Sequence, residues 1–389
     1  MPEYVINQYK GVFKRAEELY NEEKWKEVVP LLEMVCKNDP ENFTACFYMA
    51  ELLYYGRGIE KDIKRAFQLY MLAATNKITD AAYMVGLCYL EGKGIGQDSV
   101  QAVAWFTEAA KYAHPLSQYY LGLAYEKGEG ISKDIPRAAQ WLVHAAKQGI
   151  VDAQREAGIC YEILGKMKGA ATLYLAGAEN NDPFCQEKIA DCYAEGSGTL
   201  QSIPLAIHYY ELAADNGNSN AQYKMGKRYS LGEGVNLDIK KAIDYYNKAA
   251  KADNAAAQNA LAECYHLGDG IVKNDDLAIE WWTKAANGGN VDAMIHLAEN
   301  LTDPSDELQI KRDLVTAKNW WTKAAELGDA YAMYRLGDCL EKGIGVSQVN
   351  LDDAYKWYRL SSQNGNEDAT EACTRFTRTL TGKIKLKTK

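Results

Sequence analysis

The chain is 389 residues long, carries a net charge of −9, and is 47% hydrophobic and 25% charged. That balance predicts a soluble globular chain of two or three domains or one extended array, too apolar to be disordered. Its acidity argues against nucleic acid as the main partner, and with no run of 18 apolar residues a membrane span is excluded. Met1-Pro2-Glu3-Tyr4 lacks the basic-then-apolar profile of a secretory signal, so a cytoplasmic location is expected. Nine cysteines without a Cys-x-x-Cys pair fit neither a disulfide framework nor a zinc ribbon.

The first 44 residues stand outside the period that follows. From residue 45 the chain repeats every 36 residues: Ala81-Ala82-Tyr83-Met84-Val85-Gly86-Leu87-Cys88-Tyr89 returns as Ser117-Gln118-Tyr119-Tyr120-Leu121-Gly122-Leu123-Ala124-Tyr125, and again at 221–229. Nine repeats are marked out, at 45–80, 81–116, 117–152, 153–184, 185–220, 221–256, 257–292, 293–331 and 332–368. Each reads as two helices. Apolar or small residues at offsets 0, 4, 5 and 8 give the first a single buried stripe. A Gly-x-Gly turn follows, as in Gly92/Gly94 and Gly128/Gly130, and then an N-cap residue such as Asp62, Asp98 or Asp134. The second helix carries alanines and an aromatic pair, as in Ala278…Trp281-Trp282…Ala285-Ala286. A single hairpin buries too little to offset its own chain entropy, so the repeats must stack.

Two repeats depart from the pattern. Repeat four has Leu164 in place of the first turn glycine, is four residues short, and has Lys166 at the cap. Repeat eight replaces the turn with residues 301–308. Both are read as drift, the alternative being a change of pitch that shapes a partner surface.

The first-helix pattern A-x-x-x-L-G-x-x-Y, the G-x-G-V/I turn and the D-x-x-K-A-x-x-W/Y-Y-x-x-A-A second helix resemble the Sel-1-like repeat family of the tetratricopeptide-repeat superfamily. The resemblance covers residues 45–368 and implies an all-α, right-handed superhelix (an α-solenoid). Upstream, Ala16, Leu19, Val28, Leu32, Val35 and Pro40 resemble one ordinary tetratricopeptide unit, so residues 1–44 are expected to cap the array. Residues 369–380 are expected to form a closing helix, and 381–389 a basic tail.

Few residues suggest chemistry. The glycine pairs lack the preceding strand and third glycine of a dinucleotide site, and no Gly-Lys-Ser/Thr follows them. Cys88, Cys160, Cys192, Cys264 and Cys339 share offset 7 and read as reduced core residues. A secreted branch of the family bridges each repeat with a second cysteine, which small residues replace here. Glu263-x-x-His266 with Glu299 is the best metal candidate, but a di-metal bundle needs a second such pair. No cofactor, no metal and no enzymatic activity are therefore expected.

By analogy with the wider superfamily, offsets −1, 2, 6, 9 and 10 line a concave groove. Offset 2 holds Phe47, Tyr83, Tyr119, Arg155, Glu187, Tyr223, Asn259, Ile295 and Tyr334. Offsets 6, 9 and 10 add Glu51, Tyr54, Tyr55, Glu91, Glu126, Glu162, Asp191, Glu195, Glu263, Glu299, Asp303, Asp338 and Glu341, opposed by Lys127, Lys227 and Lys342. An acidic wall with aromatic footing predicts a non-enzymatic scaffold or adaptor for a protein or extended basic peptide. The alternative is an inhibitor or immunity-type regulator occluding one partner enzyme. Packing between neighbouring repeats is the competing role of the offset-2 rings. From Arg375 to Lys389 there are two Arg, four Lys and no acid, a tail read as solvated and mobile, with weak contacts to its own groove or an acidic surface as alternatives.

Overall fold

A computed structural model describes residues 3–302, 313–378 and 383–386. The chain is all-α apart from one short ribbon among the described residues, and its helices follow one another as tandem hairpins. It divides into two compact units, residues 1–202 and 203–389.

The N-terminal unit holds α1 (Glu3–Asn21), α2 (Trp25–Asn38), α3 (Phe43–Tyr55), α4 (Ile63–Thr75), α5 (Thr79–Glu91) and α6 (Ser99–Lys111). It continues with α7 (Pro115–Lys127), α8 (Ile135–Lys147), α9 (Val151–Ile163), α10 (Met167–Glu179) and α11 (Pro183–Glu195). α1 and α2 form a hairpin whose Ala16, Leu19, Val28, Leu32 and Val35 are buried against the first repeat. Each following helix is about 13 residues because its ends are chemically marked. Asp98 Oδ1 accepts from the backbone N–H groups of Val100 and Gln101, both at 3.0 Å, and so starts α6. The Asp98 N–H in turn donates to the Tyr89 carbonyl at 2.9 Å, closing the turn. The same closure recurs from Asp62 to Leu53 and from Asp134 to Tyr125.

The two turn glycines have different jobs. Gly92 ends α5 in the left-handed region at φ +68, as a helix C-cap requires. Gly94 is also left-handed, but a Cβ there would lie 2.6 Å from the Ile63 carbonyl oxygen at the start of α4. Gly130 meets Ser99 at the start of α6 in the same way, at 2.2 Å. The second glycine therefore seats each turn on the preceding hairpin.

Repeat four keeps more of the turn than its sequence suggests. α9 runs to Ile163 with Leu164 as its C-cap, and Gly165 then takes the left-handed conformation at φ +68. The Lys166 N–H donates to the Tyr161 carbonyl at 2.8 Å. α10 nevertheless starts with no side-chain cap.

The C-terminal unit holds α12 (Ile203–Asp215), α13 (Ser219–Leu231), α14 (Ile239–Lys251), α15 (Ala255–Leu267), α16 (Asp275–Asn287) and α17 (Val291–Thr302). α18 (Leu314–Glu326), α19 (Ala330–Lys342), α20 (Leu351–Gln363) and α21 (Glu367–Thr374) complete it. Asp303 and most of the irregular turn of repeat eight lie outside the described residues. The closing helix expected over 369–380 stops at Thr374. β1 (Phe376–Arg378) then pairs antiparallel with β2 (Ile384–Leu386), so this part of the tail is an ordered ribbon in which Ile384 is partly buried and Lys385 and Leu386 are exposed. Phe376 anchors it, buried against Tyr355 and Tyr358 at ring distances of 5.6 and 5.8 Å. The Ile384 N–H also donates to Asp352 Oδ1 at 3.1 Å.

Candidate partner-binding surfaces

The offset-2 rings are half-buried, and each leans on the second helix of its own hairpin. Phe47 lies 5.9 Å from Tyr70, Tyr83 lies 6.2 Å from Phe106, and Tyr119 packs with the cluster around Leu142. In the C-terminal unit Tyr223 lies 6.0 Å from Tyr246, and Tyr334 lies 5.7 Å from Tyr358. Tyr83 also reaches its neighbour, with His114 at 4.8 Å and Tyr120 at 6.1 Å. Burial pushes the Tyr119 hydroxyl up to about 12 and raises that of Tyr223. These rings thus serve the packing and still present an edge.

Tyr54 belongs to the core. It is 8% exposed and contacts Tyr70 edge-on, whereas adjacent Tyr55 is 49% exposed beneath the Arg57 guanidinium. The carboxylates are similarly varied. Glu51 accepts from the Tyr20 hydroxyl at 2.5 Å and is tied to the N-terminal hairpin. Burial holds its carboxyl above the usual range. Glu91 is exposed and pairs with Lys93 at 2.7 Å. Glu126 is half-buried, raised by burial and then by the charge of Glu156. Asp191 is half-buried on α11.

Two cations break the acidic column, Arg155 at offset 2 and Lys188, which the groove offsets miss. The Arg155 guanidinium binds Asp152, Glu156 and Asp182, and Lys188 pairs with Glu162 at 3.2 Å. Lys188 sits at offset 3, a position that also carries Glu156, Lys224, His296 and Arg335. All five of these offset-3 residues are only partly buried. Offset 3 faces outward in these five repeats, whereas the others hold Tyr48, Met84, Tyr120 and Ala260 there, and Met84 is buried.

Offset 3 matters most in the C-terminal unit. There a cavity of about 430 Å³ is lined by His266, Trp282, His296, Glu299, Asn300 and Arg335. Trp282, on α16, is its rigid wall. The His296 ring stacks on it at 5.0 Å and 27°, and the His266 ring lies at 5.3 Å. His266 Nδ1 is 2.9 Å from Asp275 Oδ1, and His296 Nε2 is 3.8 Å from Glu263 Oε1. Glu263 also accepts from Asn259 at 2.7 Å. The Tyr331 hydroxyl donates to Glu299 at 2.9 Å and accepts from Arg335 at 2.8 Å. Glu263 and His266 thus turn to different partners, and no metal-holding group of three occurs among the described residues.

Sequence comparison finds the Sel1 repeat model matching residues 44–77, 79–111, 115–150, 183–218, 219–254, 255–290, 291–329 and 330–366. Residues 151–182, which include all but the last two residues of repeat four, lie outside these matches. Among solved structures, a protective antigen of uropathogenic Escherichia coli displaying an SLR fold is 28% identical, over 88% of this chain and 81% of its own, with a TM-score of 0.48. A Sel1 repeat protein from Oxalobacter formigenes is 24% identical, over 88% of each chain, with a TM-score of 0.49. An immunity protein from Pseudomonas aeruginosa is 16% identical, over 55% of this chain and 83% of its own, with a TM-score of 0.34. No curated protein matches.

Proposed function

Since the chain belongs to the Sel1 repeat family, we propose that it is a non-enzymatic adaptor binding a protein through an extended segment of basic character. Repeats of this family generally mediate protein–protein interactions. The observation that carries the finer reading is the pairing, in successive repeats of the N-terminal unit, of half-buried rings with carboxylates. Phe47, Tyr83 and Tyr119 are held rigid by their own second helices, and Glu91 and Glu126 stand at offsets 10 and 9 of the same first helices. A rigid aromatic loses little conformational entropy on contact, and carboxylates steer a cationic segment toward it.

No helix of the described residues is long and apolar enough to cross a membrane. We place the protein in the cytoplasm on the support of its nine free cysteines, six of them buried, which suit a reducing compartment. Affinity capture with mass spectrometry, comparing wild type with Tyr83→Ala plus Tyr119→Ala, tests the adaptor reading. Loss of recovered partners from a folded double variant is expected, and unchanged recovery removes these rings as anchors. Recovery of one stoichiometric enzyme, inhibited on binding, would favour the occluding regulator instead.

A further inference from the structure

We propose that the cavity walled by Trp282, His296 and Glu299 receives one arginine side chain of the bound segment, its guanidinium stacked on the rings and turned to the carboxylates. This deepens the adaptor reading and rests on it.

The fold supplies its own template one repeat later. Trp282 and Trp321 hold the second place of the Trp-Trp pair in successive repeats, and each is covered by offset 3 of the next first helix. Over Trp321 that residue is Arg335, whose guanidinium lies 4.8 Å from the ring centre and 3.9 Å from Glu299. Over Trp282 it is the shorter His296. The His296 ring already covers Trp282, which is 2% exposed, and the 430 Å³ cavity opens beside it, so an arginine from outside would stack on the accessible His296 and His266 rings and reach Glu299, the carboxylate that Arg335 also approaches.

Charge favours the same occupant. Glu263, Asp292 and Glu299 surround the cavity or act on His296, Asp275 is paired with both His266 and Lys273, and Arg335 is the one permanent cation in the lining. Arg335 is already committed to Tyr331 and Trp321. The side chains of Glu263 and Glu299 remain 46% and 43% exposed, each engaged by its neighbours through Oε1. The field registers on His296, which Glu263 first, and then Glu299 and Asp292, hold above the ordinary histidine range against its burial. An anion would meet this field unfavourably. Arginine is favoured over lysine because its planar fork stacks on aromatic faces and meets carboxylates in two places at once. The cavity volume lies in the range of roughly 300–1,000 Å³ usual for ligand pockets.

The test uses the full chain with histidine ring labels, titrated with N-acetyl-arginine methylamide, its neutral citrulline analogue, and the lysine analogue. The expected result is saturable shifts of the His266 and His296 signals with the arginine probe. Binding should be at least about tenfold weaker for citrulline, for lysine, and for Glu263→Gln plus Glu299→Gln. Unmoved His114, His144 and His208 signals report that this variant is folded. If they move, the citrulline comparison on wild type decides. Equal response to citrulline or lysine, shifts confined to the other three histidines, or no response at the probe's solubility limit would overturn the proposal. Any of these leaves the capture experiment on Tyr83 and Tyr119 intact, so the two readings fail separately.

Discussion

Gly130 and Ser99 are in backbone contact across two hairpins: a Cβ on the glycine would stand 2.2 Å from the serine carbonyl oxygen. Gly149 is also left-handed, at φ +88, but has nothing within 4 Å of its Cβ position. The pair separates the cost of conformation from the cost of docking. Gly149→Ala should lose about 1 kcal/mol from backbone strain alone. Gly130→Ala should lose at least about 2 kcal/mol, since the turn must lift from α6. Chemical denaturation of the two variants measures the difference, and equal losses would remove the docking role of the second glycine.

Helix starts should be worth a predictable amount. Asp98→Ala leaves two backbone N–H groups without their acceptor and is expected to cost about 1 kcal/mol. α10 offers the reverse experiment, since Lys166 supplies no cap. Residues 162–170 should exchange amide hydrogens faster than the equivalent turns, and Lys166→Asp should slow them. Uniform protection across all repeats would contradict this.

His296 gives the C-terminal unit a pH dependence with a definite sign. Its folded-state pKa is raised above the 6.5 of an unperturbed histidine, with Glu263 as the leading cause. The protonated form is therefore the stabilising one. Its contribution is complete below about pH 6 and is lost as pH rises through 6.5 and above. Thermal melts from pH 5.5 to about 8 should show this loss in wild type and not in His296→Gln or Glu263→Gln. A slope that persists in both variants would assign the effect to another group.

The ribbon should depend on one ring. Phe376→Ala removes the contact with Tyr355 and Tyr358 and is expected to cost about 3 kcal/mol locally. Hydrogen exchange should then accelerate in α20, α21 and β2, and not in the N-terminal unit. Unaltered protection of 384–386 would mean that the Asp352 contact suffices.

The repeat was legible in the sequence because helical packing writes itself at fixed intervals. Alanines at offset 0, such as Ala81, Ala153 and Ala221, are fully buried, and Asp62, Asp98 and Asp134 cap the helices that follow them. The docking role of the second turn glycine is not legible in the sequence, because Gly94 and Gly130 meet Ile63 and Ser99 on the preceding hairpin, beyond any local pattern. Gly165 was overlooked for a similar reason: shifted by one residue, it still takes the left-handed conformation after Leu164. The open face was less legible. Tyr54 and Tyr55 are neighbours in the chain, yet Tyr54 joins the core and Tyr55 does not. The cavity at Trp282 is not legible from the groove offsets because offset 3 is not among them and changes character along the chain, from Tyr48, Met84 and Tyr120 to Lys188, His296 and Arg335. The tail was read by charge alone, and Phe376, the residue that fixes it, is uncharged.

The most direct test of the adaptor account is the association rate of a captured partner, measured at low and high salt for wild type and for Glu91→Lys plus Glu126→Lys. The account predicts fast association that slows with salt in wild type, with both the rate and its salt dependence reduced about tenfold or more in the variant. An association rate unchanged by the two charge reversals at every ionic strength would contradict it.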